Sequence, residues 1–172
     1  GQAFPERKTY KARVRASAAE EEAYRRITSL TFSQIDRRAH GGLLFRTTLE
    51  KSLFSSPAAC LQTIDERLAR IGRRDDAEAF GGDVAELTHL REAVAEIDGG
   101  RFSRYQELLQ VIRKRMEWTP RKAKEDRLVI FSERRATLSW LERHLAEDLK
   151  LKPAQITQLH GGLSDGEQQR IV

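Results

Sequence analysis

The stretch LHGGLSDGEQQR, residues 159–170, places Gly161 and Gly166 in a G-x-x-x-x-G spacing, the skeleton of a phosphate-cradling loop. A nucleotide-binding loop of that kind needs lysine next, to reach the phosphates, and then serine or threonine to hold magnesium. Here those places hold Glu167 and Gln168. A carboxylate in the lysine's position repels phosphate at close range. The stretch is therefore not a P-loop, and its chemistry has to come from what surrounds it. A second group of polar residues, Ser132-Glu133-Arg134-Arg135, follows the apolar run RLVIFS. Ser132 offers a hydroxyl, Arg134 and Arg135 offer charge, and Gly161-Gly162 permit close approach of backbone. His160 adds an imidazole beside them.

The elements that must position these groups are readable from patterning. RLVIFS (127–132) and QITQL (155–159) are short apolar segments of the kind buried in a parallel sheet. Between them Leu138, Leu141 and Leu145 share a helical face, and Ser164 with Glu167 caps a last helix. That order is strand, helix, strand, helix. A right-handed crossover puts both strand ends on one sheet edge, where open α/β folds bind ligands. Ser132, Arg134 and Arg135 would leave the first strand there, and His160, Gly161 and Gly162 the second. Helix N-termini at that edge add free N–H groups for an anion. Taken singly, Gly161-Gly162 reads as a tight turn, His160 as a structural histidine, the arginines as a solvated first turn and Ser164 as a cap. Only their convergence makes a site.

Upstream the chain reads as helical. KTYKARVRA (8–16) alternates Tyr10, Ala12 and Val14 on one face, as a half-buried edge strand would. Ser17 and Glu20 then form a capping box for a helix through Leu30. Residues 43–54 have looser helical spacing. Ser56-Pro57 restarts a helix whose stripe is Cys60 or Leu61, Ile64, Leu68 and Ile71. Residues 72–83 read as a loop, with Asp83 and Glu86 starting a helix that carries Val84, Leu87, Leu90, Val94 and Ile97 and ends at Gly99-Gly100. Phe102, Tyr105, Leu108 or Leu109, Ile112 and Met116 line the next. The expected organisation is a helical region 1–118, a linker 119–126 broken by Pro120, and an α/β unit 127–172.

Bulk composition limits the function classes. The chain of 172 residues has a formal net charge of +5 and a sequence pI near 9.6, from 23 arginines and 8 lysines against 26 acidic residues. That balance favours an acidic partner, and arginine suits bidentate phosphate contacts. Cys60 is the only cysteine, which excludes an internal disulfide and a cysteine zinc cluster and suits a buried small hydrophobe. His40, His89, His144 and His160 show no metal-ligand spacing. With no long apolar run and no signal-peptide core, a soluble, cytoplasmic protein is expected.

The segments RLVIFSERRATLSWLERHL and ITQLHGGLSDGEQQRIV resemble the start of the second RecA-like lobe of superfamily 2 helicases of the Swi/Snf type. The matching residues are Phe131-Ser132, Thr137-Leu138, His160-Gly161-Gly162 and Arg170-Ile171-Val172. LEKSLFSSPAACLQTI (49–64) is similar to the helical region that precedes this lobe in bacterial relatives. The resemblance implies a partial RecA-like βαβα unit with a parallel sheet. It also adds Thr137 to the nucleic-acid-binding candidates Ser132, Arg134, Arg135, His160, Gly161 and Gly162. It implies a parent motor that uses ATP and magnesium to move on double-stranded DNA, with the remaining helicase lobes as intramolecular partners. The family's P-loop, Asp-Glu motif and arginine fingers have no counterpart here. The expectation is thus a fragment with no catalytic residues, binding no cofactor by itself and open to self-association through an exposed sheet edge. Two rivals stay open: a stand-alone nucleic-acid-binding module, and a structural or partner-binding helical domain.

Overall fold

The computed structural model describes residues 6–37 and 41–171. Val172, the end of the Arg-Ile-Val match, and His40 lie outside them. Seven α-helices make up the described architecture: α1 (Ala18–Ser29), α2 (Gly41–Ser55), α3 (Pro57–Gly72), α4 (Gly81–Ala95), α5 (Ser103–Gln110), α6 (Arg135–Asp148) and α7 (Asp165–Ile171). Among the described residues there is no strand. The expected α/β fold with a parallel sheet is therefore corrected to an all-helical one.

Helix starts follow the local signals. The Ser17 hydroxyl accepts from the Glu20 N–H at 3.2 Å, and the Glu20 carboxylate accepts from the Ser17 N–H at 2.7 Å, which is the expected capping box. The other Glu20 oxygen accepts from the Ser103 N–H at 3.0 Å, so one side chain ties together the starts of α1 and α5. Ser56 caps α3 through the Ala59 N–H at 3.0 Å, with Pro57 in the first turn where its missing N–H costs nothing. Between α3 and α4 the expected loop contains a 3₁₀ turn, Ala77–Phe80, that runs straight into α4 at Gly81. Phe80 is buried there, beneath the Arg74 guanidinium. Met116, expected on a buried stripe, is about half exposed. The helix after Gln110 widens into a π-helical turn, Val111–Arg115, which rotates the stripe away.

α3 lies at the centre, packing on α2, α4 and α6, while α1 packs on α4 and α2. Ile27, Leu49, Cys60, Ile64, Leu87, Leu90, Val94 and Ile112 are essentially without solvent contact. Cys60 is thus the buried small hydrophobe its position implied, and burial pushes its thiol up to about 11. Trp140, Leu141 and Leu145 of α6 join the same apolar cluster, so the helix of the third region shares the core of the first. No helix among the described residues is long and apolar enough to cross a membrane.

The three strand expectations fail for one physical reason. Residues 127–132 belong to no helix or ladder. Leu128 and Ile130 lean on the core there, but Val129 and Phe131 point outward, Phe131 at 91% exposure. Residues 155–159 contribute Ile156 to the core and leave Leu159 half exposed. Residues 8–16 are exposed throughout, with only Tyr10 engaged by the Arg115 guanidinium. An extended segment becomes a strand only when a neighbour takes up its outward N–H and C=O groups. A parallel strand also needs cover on both faces. Here each segment has at most one covered face and no ladder.

Candidate functional site

Because no sheet forms, the sequence-selected residues do not sit on a sheet edge. They gather at the N-terminal end of α6 and the turn at 160–163. Arg134 is the residue before the first turn of α6, in extended conformation, and no side chain caps the helix there. The first backbone N–H groups of α6 thus lack the usual capping oxygen, leaving a partial positive charge. Ser132 does not reach the helix. Its hydroxyl accepts from the Arg134 N–H at 3.2 Å and tightens the turn that leads in.

Arg135, the first residue of α6, is exposed and reaches the second segment, its Nη2 lying 3.4 Å from His160 Nε2. On the other side of the ring, the Gly162 N–H points at His160 Nδ1 from 3.2 Å. Two donors therefore face one imidazole. A neutral imidazole has a single acceptor nitrogen, so both contacts cannot be hydrogen bonds together. The corner is rich in donors and short of an acceptor.

The glycines behave differently from one another. Nothing would meet a side chain at Gly161, whereas a Cβ at Gly162 would press on the His160 ring at 3.2 Å. Glycine at 162 is what lets backbone lie flat against the imidazole. Leu163 closes the turn by donating its N–H to the His160 carbonyl at 3.1 Å. The Ser164–Glu167 cap is present: the Glu167 carboxylate accepts from the Ser164 N–H at 2.8 Å and hydroxyl at 2.7 Å. The Ser164 hydroxyl bond chiefly holds the Glu167 carboxyl below the usual range, helped by the Ser164 N–H. That carboxylate is thus engaged with Ser164.

Thr137 faces the other way. It is buried one turn into α6, and its Oγ1 lies 2.7 Å from Ser55 Oγ and 2.6 Å from Ser56 Oγ. This hydroxyl cluster pins α6 to the α2–α3 junction. No local pattern announces the contact, because the partners are 81 and 82 residues apart. Thr137→Val keeps the shape but strands the serine hydroxyls, and it is expected to cost about 1–3 kcal/mol. A urea midpoint equal to that of the wild type would show the cluster to be incidental.

Arg134, Arg135, His160 and Gly162 thus lie around one exposed corner, Ser132 shapes the approach to it, Gly161 leaves it open, and Thr137 anchors the helix beneath. The chain matches none of the protein-family models, curated proteins or solved structures with which it was compared.

Proposed function

We propose that the chain supplies nucleic-acid backbone contacts to a cytoplasmic, ATP-dependent DNA helicase or translocase of the Swi/Snf type, without carrying the ATPase residues itself. The observation that carries this reading is the donor-rich corner. The Arg135 guanidinium and the Gly162 N–H converge on a His160 ring that can satisfy only one of them. A phosphate oxygen is the missing acceptor, and it would also meet the uncapped N-terminus of α6. The resemblance of 127–172 to the motor's nucleic-acid-facing motifs points to the same residues.

Chemically, such a corner takes the sugar-phosphate chain and reads no bases, since its donors are charged or backbone groups with no base-specific pairing. ATP and magnesium belong to the motor as a whole. This sequence has no lysine-bearing phosphate loop with which to hold them. Binding to double-stranded DNA is expected to be weak, salt-dependent and indifferent to sequence. Replacing Arg134 and Arg135 together with alanine should flatten the slope of log affinity against log salt by about one unit per lost phosphate contact. An unchanged slope in that titration would remove the arginines from the interface and the reading with them.

A further inference from the structure

A second cationic site lies elsewhere on the chain, and the corner at α6 has no share in it. Between α2, the end of α3 and the turn before α4 there is a cleft of about 350 Å3. Arg67, Arg70 and Arg74 line it together with Phe45 and Phe80, and no Asp or Glu lines it among the described residues. Two of the guanidiniums are stacked on the aromatic floor: Arg67 lies 4.0 Å from the Phe45 ring centre and Arg74 4.7 Å from that of Phe80.

Stacking fixes a guanidinium by its face and turns its N–H edge sideways, which lowers the ordering cost of binding. Asp76 steadies Arg74 further, accepting from its Nε at 2.6 Å and its Nη2 at 2.8 Å. Asp36, the nearby acid on the α2 side, is committed to Arg46 and to the Phe32 N–H. The helix dipole explains a basic residue in the last turn of α3, which is Arg70. It does not explain Arg67, earlier in the helix, or Arg74, beyond its end. Three like charges around one cleft repel each other unless an anion sits among them.

We propose that this cleft binds a phosphate group. A carboxylate offers two oxygens, too few for three guanidinium forks, whereas a phosphate can accept from all of them. The phosphate could come from a nucleic-acid backbone or from a free phosphate compound, and the two are separable with the full chain. Inorganic pyrophosphate is titrated at low ionic strength while thermal unfolding is followed, and a short DNA duplex is titrated by fluorescence anisotropy. Arg70 is exposed, so Arg70→Glu leaves the packing intact, and Arg70→Gln is a milder second variant. Arg101→Glu, an exposed charge reversal elsewhere, controls for general electrostatics.

Stabilisation by pyrophosphate that both Arg70 variants lose, with affinity down roughly tenfold or more, identifies a site for a free phosphate compound. A similar loss in duplex affinity, exceeding that of Arg101→Glu and relieved in the wild type by competing pyrophosphate, identifies a backbone site. If the Arg70 variants behave as Arg101→Glu does in both titrations, the proposal is overturned. The Arg134→Ala, Arg135→Ala double variant should keep the pyrophosphate effect, so this site and the corner at α6 stand or fall separately.

Discussion

Replacing Asp83 with alanine is expected to destabilise the protein by about 3–5 kcal/mol, a large part of the total stability of a domain this size. Asp83 is 1% exposed and lies in the first turn of α4, but its carboxylate does not serve that helix. One oxygen accepts from the Ser33 N–H at 2.6 Å and the Ser33 hydroxyl at 3.0 Å, and the other from the N–H groups of Gln34 at 3.0 Å and Ile35 at 2.8 Å. Consecutive backbone donors wrapped around one anion form a nest. Nothing else in residues 30–36 would hold that geometry while Leu30, Phe32 and Ile35 are buried beneath it. Alanine leaves the donors facing protein without an acceptor. An asparagine side chain would keep a single oxygen and turn an NH2 toward N–H groups, so Asp83→Asn should fall between wild type and Asp83→Ala. Chemical denaturation checks both. A loss below about 1 kcal/mol for Asp83→Ala, small beside the usual worth of hydrogen bonds to a charged group, would mean water replaces the carboxylate at little cost.

The second large effect is expected at Trp140, whose truncation to alanine should cost about 3–5 kcal/mol. Its ring meets Tyr105 edge-on at 4.8 Å and Phe102 at 5.4 Å, and it stacks on His144 at 3.6 Å. The Tyr105 hydroxyl donates to the Asp148 carboxylate, and Arg113 donates to the Asp148 carbonyl at 2.8 Å. Burial, then the Asp148 bond and charge, push the Tyr105 hydroxyl far above its ordinary range, so it stays a donor at any ordinary pH. These rings carry α6 onto the α5 side, while Leu141 and Leu145 carry it into the core beside α3. Losing the indole should loosen α6 before α3 or α4. Amide exchange in 135–148 is therefore expected to accelerate well beyond that in 57–71 and 84–97, where buried stripes remain intact. Unchanged exchange in α6 would show that the aromatic cluster contributes little to its docking.

The helices of this protein are written locally. A serine with glutamate three residues on begins α1 at Ala18, a serine before proline begins α3, and apolar stripes at helical spacing fill the core from Cys60 to Ile112. Such signals act within a turn or two of chain, so a sequence carries them whole. The arginines, the imidazole and the glycine pair of the candidate corner were also legible as residue types able to hold phosphate. Their actual support was not, because it is an uncapped helix end and a turn instead of a sheet edge.

What only the tertiary structure decided is everything that depends on a distant partner. Residues 127–132 and 155–159 have the composition of buried strands, yet an extended segment is a strand only through a neighbour's hydrogen bonds, and none is formed among the described residues. Asp83 has the look of a helix cap, and its carboxylate instead closes a loop 48 to 50 residues earlier. Thr137 matches a nucleic-acid-facing motif, and its hydroxyl is taken by two serines, 81 and 82 residues away. Caps and stripes are short-range interactions that composition and spacing fix. Ladders, buried carboxylates and hydroxyl clusters are long-range choices among many acceptable partners, and only packing selects one.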